Sequence, residues 1–289
     1  MKLSVVVVTW NSGNDIAACL DSLECGHPFE TIVVDNASSD GTAAIVEKHT
    51  GVRLLRNRSN LGYAGANNQG IAGSKGEYVM LLNPDTIVEP GAIDLLVSHL
   101  DSHPGHAAVA PKLVDYDRPE AVQHSVRGFP TAANTFWELT GLSRLFPRSR
   151  SLGSLRMMWF DYDKPGPVPQ PMTSCLLLRR GVLDEMGGLD ENLPIFYNDV
   201  DLSFRMHLKG MTTWYLPSAR VRHRRGASTV RVRPKMIWES HRSRIRYLHK
   251  HDRSGLFWLK AVALVPLSEI VALLRVLAWK LTNFGKKRA

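Results

Sequence analysis

Cysteine is scarce in this chain. Cys19, Cys25 and Cys175 are the only three in 289 residues, and none forms a CxxC pair. That excludes a disulfide framework and a thiolate zinc site, and it fits a reducing compartment. Two glycine signatures are also missing. No G-x-G-x-x-G follows the first apolar run, and no G-x-x-x-x-G-K-[ST] occurs anywhere. Their absence demotes dinucleotide oxidoreductases and P-loop enzymes. The opening run, Met1 to Val8, is short, carries one lysine and has no small-residue cleavage site behind it. It predicts a first strand, not a signal peptide. Acidic residues are rare at the other end. Residues 218–289 hold 18 Lys/Arg and only 3 Asp/Glu, against 18 and 24 in residues 1–217. The balance of −6 in the body and +15 in the tail predicts a catalytic body with a basic appendage that meets an anionic surface.

What is present is a rhythm of strands and helices. Leu3–Val8, Thr31–Val34, Val52–Leu55, Tyr78–Leu82 and Ala107–Val114 are apolar runs suited to strands buried on both faces. Between them lie helical patterns. Asn14 or Asp15 can cap one carrying Ile16, Leu20 and Leu23; Ser38, Ser39 or Asp40 starts another; a short one follows Gly62; Pro90 opens a fourth. The alternation predicts an α/β fold with a Rossmann-like, mostly parallel sheet flanked by helices. Residues 115–171 interrupt it with seven prolines and eight aromatics, and predict an irregular functional insertion. The rhythm resumes with a strand at Ser174–Leu178, helices at Gly181–Met186 and Asp199–Lys209, and a strand at Thr212–Leu216.

Four acidic or small-residue signals fall at element ends. Asp35 follows two buried residues, where its carboxylate can meet a base N–H or ribose hydroxyl; helix capping is its plainer role. The run Asn60–Gly70 is rich in glycine and asparagine, which lets backbone approach a nucleotide closely or simply packs a helix tightly. Asp85 follows the buried run Tyr78–Leu82, at the edge where open α/β sheets bind ligands, and a carboxylate there can hold a divalent cation and through it a diphosphate. Asp199 and Asp201 point about 200° apart on a helix, so at most one faces a site. Asp201 has Arg205 at i+4, predicting an exposed pair, which leaves Asp199 as the candidate general base. His223 closes the last strand pattern, where an imidazole can complete a metal shell.

In order, VVVVTWN, VDNASSDGT, NLGYAGANNQGI, LLNPDT, GGLDENLPIFYNDVDLSFR and PSARVRH resemble the family-2 glycosyltransferases. More narrowly they resemble the bacterial rhamnosyltransferases of cell-wall and O-antigen assembly. The likeness covers roughly residues 3–226, and QHSVRGFPT and MMWFDYDKPGPVP resemble that group's acceptor-side insertion. It implies a GT-A fold over residues 1–230, with 115–171 as the insertion and 231–289 as a basic helical tail. It also implies a nucleotide-sugar donor, Mg²⁺ or Mn²⁺, and inversion at the anomeric carbon. By position, Asp35 would contact the base, with Thr9, Asn11, Asn60, Gly62, Asn67 and Asn83 around the nucleotide-sugar. Asp85 and His223 would hold the metal, and Asp199 would be the catalytic base. Two positions depart from the pattern: Asn198 stands where Glu is usual, and Thr173-Ser174 where Gly-Ala is frequent.

The resemblance predicts L-rhamnose from dTDP-L-rhamnose, passed to a glycan or lipid-linked acceptor in cell-envelope polysaccharide synthesis. A sugar nucleotidyltransferase would want a basic Gly-rich loop after the first strand, which Thr9-Trp10-Asn11-Ser12 does not offer. Nucleic acid as a partner would explain the tail but not the aligned acids. A catalytically weak membrane scaffold of the same fold is the remaining rival. In the tail, Leu256–Leu281 is apolar yet carries Lys260, Glu269, Arg275 and Lys280, which argues against a spanning helix, and Pro266 predicts a kink or a split. Ile270, Leu273, Leu274, Leu277 and Leu281 share one arc, so the segment either lies on an anionic membrane at its cytoplasmic face or packs on its own domain or a second copy of the chain.

Overall fold

Leu3–Thr9 is a nearly unbroken run of β-branched side chains and forms β1, buried at every position. It starts an alternating series: α1 (Ile16–Asp21), β2 (Phe29–Asp35), α2 (Thr42–Val46), β3 (Val52–Arg56), α3 (Gly62–Gly73) and β4 (Tyr78–Leu82). Next come β5 (Thr86–Val88), α4 (Ala92–Ser102), β6 (His106–Asp115), β7 (Val126–Arg127), α5 (Ala132–Thr140), α6 (Leu142–Leu145), β8 (Gly166–Val168) and β9 (Gln170–Pro171). The chain closes with β10 (Cys175–Arg179), α7 (Arg180–Met186), α8 (Asn198–Leu208), β11 (Thr212–His223), α9 (Arg233–His251) and α10 (Phe257–Asn283). The computed structural model describes residues 1–224 and 233–283. Arg225, Arg231, Lys286, Lys287 and Arg288 of the basic tail, and the 230/231 boundary, lie outside the described residues.

Two compact units emerge. The first comprises residues 1–127, 160–194 and 198–228; the second comprises 128–159, 195–197 and 229–289. The first is built on a sheet of order β3-β2-β1-β4-β10-β6-β11-β5, with β8 added on β11. β1, β2, β3 and β4 pair in parallel. β6 and β11 also pair in parallel and run the same way, because β10 is antiparallel to both β4 and β6. The sheet is therefore mostly parallel, as expected, with β10 reversed at its centre. The sequence hides that reversal, since CLLLR is an equally good buried strand in either direction. Ile93, Leu96, Val97 and Leu100 of α4 pack on one face with β1 and β4 side chains, and Leu183, Leu202 and Met206 pack on the other.

Several local expectations change. Asp15 occupies the N-cap position of α1 but makes no side-chain cap bond, and Leu23 lies beyond the helix. Residues 115–171 are less irregular than their prolines suggest, because β7, α5, α6, β8 and β9 arise within them. α5 is capped by Thr131 and Asn134 in a reciprocal capping box. In the second unit, α10 runs unbroken through Pro266, so the expected split does not occur. A proline removes one donor, and the remaining bonds of a helix this long hold it together. By length and composition α10 is sufficient to cross a membrane, contrary to the weight given to its charges. Its small side chains Ala261, Ser268 and Ala272 are buried, whereas Ile270, Leu273, Leu274, Leu277 and Leu281 are exposed.

Candidate active site

Strand direction gathers the candidates at one edge. Thr9 and Asp35 sit side by side at the carboxyl ends of β1 and β2, and His223 ends β11 beside Asp115 of β6. Asp85 lies three residues past β4, in the turn that leads into β5, and β5 pairs with the end of β11 through Thr86 and His223. These strands share one direction, so the nucleotide-end and metal-end candidates meet on the carboxyl edge of the first unit, where ligands enter open α/β sheets.

Asp85 and His223 face each other, with Oδ1 to Nε2 at 3.5 Å, and both are nearly fully buried. Gln123 sets the imidazole. Its Nε2 donates to the His223 carbonyl oxygen at 2.6 Å, and this turns Oε1 toward His223 Nδ1 at 3.0 Å. A carbonyl can only accept, so the amide orientation is fixed and Nδ1 must carry the proton. Nε2 is then aimed at a carboxylate, an arrangement that needs a cation between or on the two groups. Asp85 and His223 thus fit as a mixed oxygen and nitrogen pair for a divalent ion.

Around this pair the site is crowded with charge. The Arg224 backbone N–H donates to the Asp85 carbonyl oxygen at 2.8 Å. The Arg224 guanidinium reaches Asp15 Oδ1 at 3.4 Å and stacks on the Tyr116 ring. Burial raises the Asp15 carboxyl above its ordinary range; Arg224 opposes the shift and Asp85 adds to it.

Asp199 opens α8. Its Oδ1 accepts from the Val200 backbone N–H at 2.9 Å, and a backbone contact from Thr173 and the charge of Arg127 also favour the anion. Asp199 keeps some solvent contact, yet protein atoms crowd its other sides, and burial raises its carboxyl above the ordinary range. The Tyr63 hydroxyl donates to the Thr173 carbonyl oxygen at 3.2 Å. Burial pushes this phenol up, and the carboxylates of Asp199 and Asp85 both push it further. Asn198, in place of the usual Glu, is buried and donates from Nδ2 to the Leu193 carbonyl oxygen at 3.0 Å, so it braces the preceding loop. Asp201 pairs with Arg205 at 2.7 Å, but Asp201 is buried and Arg205 half-buried where an exposed pair was expected, and Arg205 also donates to the Met186 and Gly188 carbonyl oxygens. It fastens α8 to the loop after α7.

The other candidates divide. Asp35 accepts from Thr9 Oγ1 at 2.9 Å and from the Ser38 N–H at 3.1 Å, while Asp40 accepts from the first N–H of α2 at 3.1 Å. Asn11 adopts φ of 53° and accepts from the Ser39 N–H at 2.8 Å, which folds the β1 loop onto the β2 loop. Asn60 accepts from Asn36 Nδ2 and from the Gly62 N–H. Gly62 has φ of 77°, and a Cβ there would lie 2.7 Å from Pro194, so packing requires the glycine. Asn67 donates from Nδ2 to the Tyr63 carbonyl oxygen, and its buried Oδ1 has no partner among the described residues. Asn83 donates from its backbone to the Ser174 carbonyl oxygen at 2.9 Å and reaches Ser174 Oγ at 3.3 Å. Sequence reasoning missed Gln123, Tyr63, Asp15 and Arg224. Gln123 and Tyr63 stand inside the QHSVRGFPT and NLGYAG segments, which was the available signal.

Known proteins give the family and the fold. The glycosyl transferase family 2 model matches residues 4–186. A Mycobacterium tuberculosis N-acetylglucosaminyl-diphospho-decaprenol L-rhamnosyltransferase is 33% identical over 270 residues, which is 89% of this chain and 86% of that protein. The O-antigen biosynthesis protein RfbC of Myxococcus xanthus is 28% identical over 78% of this chain and 18% of its own length. Among solved structures, the mannosyltransferase PcManGT from Pyrobaculum calidifontis, in complex with GDP-Man and Mn²⁺, superposes with a TM-score of 0.59 at 18% identity, covering 97% of this chain and 75% of that one. S. aureus TarS 1–349 does so with a TM-score of 0.57 at 17% identity, covering 96% and 82%. These likenesses carry the GT-A fold. With the family model over more than half of its length, the chain belongs to glycosyl transferase family 2 and is a glycosyltransferase.

Proposed function

We propose that this enzyme is an inverting, metal-dependent rhamnosyltransferase that passes L-rhamnose from dTDP-L-rhamnose to a polyprenyl-diphosphate-linked amino sugar in cell-envelope assembly. The observation that carries the mechanism is the buried pair of Asp85 and His223, facing each other at 3.5 Å on the carboxyl edge of the sheet. The sugar and acceptor rest on the printed activity of the Mycobacterium tuberculosis relative.

The reaction is a single displacement. Asp199 receives the proton of the acceptor hydroxyl as that oxygen bonds to the anomeric carbon. The bond from that carbon to the diphosphate breaks on the opposite face, and the nucleoside diphosphate leaves with the electron pair. A carboxylate whose affinity for protons is raised by burial is a stronger base than an exposed one. Asp85 and His223 would hold Mg²⁺ or Mn²⁺, with the nitrogen donor favouring Mn²⁺. The ion supplies positive charge for the leaving diphosphate. Asp35, held by Thr9 and Ser38, presents an acceptor to the base; Asn11, Asn60, Gly62 and Asn83 shape the pocket through backbone geometry, and Asn67 offers a free acceptor oxygen. Asn198 acts as a brace, so its replacement of Glu does not argue for the scaffold reading.

The exposed leucine face of α10, with the basic character of the C-terminal region, supports peripheral attachment at the cytoplasmic face of an anionic membrane, where a polyprenyl acceptor resides. The test is transfer by the purified full-length enzyme from dTDP-, UDP- and GDP-sugars to a polyprenyl-diphospho-GlcNAc acceptor, with Mn²⁺ or with excess chelator. Transfer from dTDP-L-rhamnose that chelator abolishes is expected. Full activity in chelator, or preference for another donor, overturns the corresponding part.

A further inference from the structure

At the opposite edge of the same sheet, three histidines gather. His99 lies in the last turn of α4, His103 caps that helix's C-terminus one turn later, and His106 opens β6 after a two-residue turn. His106 and Asp115 end the same strand nine residues apart, so at about 3.3 Å per residue the cluster sits about 30 Å from the His223 end. Nothing in the transfer reaction uses it.

The geometry points to a second metal site: we infer that His99, His103 and His106 bind one divalent transition ion of the Zn²⁺ type, with solvent completing the coordination. One imidazole nitrogen from each residue lies within 4.8 Å of the other two. His99 Nε2 and His106 Nδ1 share a hydrogen bond at 2.9 Å, whose proton an ion would displace. Three nitrogens at Zn–N lengths in a tetrahedral site stand about 3.3 Å apart, so the rings would turn out of their stack to aim their lone pairs at one ion. His103 Nδ1 donates to the His99 carbonyl oxygen at 2.8 Å, which leaves Nε2 with its lone pair free to ligate.

The surroundings are built. The rings of His99, His103 and His106 stack at centroid distances of 4.3–5.1 Å, and Trp214 stacks on His106 at 4.6 Å to close one side. Arg179 pins the backbone beneath them by donating to the carbonyl oxygens of Leu100, His103 and His106. The guanidinium also reaches the Tyr78 hydroxyl at 3.5 Å, and it holds the turn that carries two of the ligands. The end of a helix also favours a cation. His103 is exposed and leaves the fourth position open to water. An ion here would staple α4 to β6. The inference is independent of the reaction proposed above.

The test uses untagged full-length enzyme stripped with chelator, titrated with Zn²⁺ alone by calorimetry and with Co²⁺ by visible absorption. Because His103 is exposed, His103→Gln should fold normally. The expected result is micromolar Zn²⁺ binding, tetrahedral Co²⁺ bands and a Zn²⁺-dependent rise in Tm. His103→Gln should weaken binding at least tenfold and lose the rise, whereas Asp85→Asn combined with His223→Gln should retain both. Equal Zn²⁺ affinity in wild type and His103→Gln, or loss of all Zn²⁺ binding in the Asp85/His223 variant, would overturn the site.

Discussion

Gln123 and His223 exchange two hydrogen bonds across 100 residues of chain, the amide donating to the histidine carbonyl and accepting from its ring. This leaves the nitrogen that faces Asp85 free to ligate an ion. Gln123→Ala should free the ring and raise the Mn²⁺ concentration needed for half-maximal activity by about 10–100-fold. Turnover at saturating Mn²⁺ should stay close to wild type. An unchanged Mn²⁺ dependence would show that Gln123 only packs.

Asp199 carries two linked expectations. Asp199→Asn should lower turnover by roughly 10²–10⁴ with donor affinity kept. Its carboxyl is raised above 3.8 by burial, so the folded state holds its proton more tightly than the unfolded state does. The stabilising contribution is complete below 3.8 and is lost as pH rises through the folded value, which makes the ionised group a cost at neutral pH. Asp199→Asn should therefore raise Tm at pH 7, with the gain vanishing near pH 4. In wild type, turnover should fall on the acid side at a pH above the ordinary carboxylate range. A lower Tm at pH 7 would contradict the assignment of burial as the cause.

Much of this site is written in short stretches of sequence. Asp85 and Asp35 each follow a buried strand, and strand burial is visible in VVVV and YVMLL without knowledge of partners. Asp199 is separable from Asp201 because Arg205 stands one turn away. What stays hidden depends on pairings distant in sequence. Nothing near Gln123 announces His223, nothing near Asp15 announces Arg224, and the direction of β10 follows from its neighbours and not from CLLLR. The burial of Asp201 is hidden for the same reason, since it comes from the loop that Arg205 grips.

That pair predicts a different outcome from Asp199. Asp201→Ala should cost about 1.5–3 kcal/mol of stability by removing a charge-assisted hydrogen bond from Arg205, which keeps its two carbonyl partners. Urea unfolding should show the loss, while the fraction that remains folded keeps near-normal turnover. If Asp201→Ala is stable but inactive, the roles of the two acids are reversed.

Replacing Leu274 and Leu281 by Glu places two charges on the exposed apolar face of α10 without touching its buried side. Flotation with anionic liposomes at low salt should be lost, and transfer to a soluble acceptor analogue should persist. Retained flotation, or a change of oligomeric state in place of it, would favour packing against a second copy.

The most direct test of the account is the stereochemistry of transfer from dTDP-L-rhamnose by wild-type enzyme, read from the anomeric carbon–proton coupling of the product. With Asp199 as base in a single displacement, the new bond has the configuration opposite to that of the donor, and Asp199→Asn forms it only slowly. A product that retains the donor configuration would contradict the account, as would Asp199→Asn turning over at the wild-type rate.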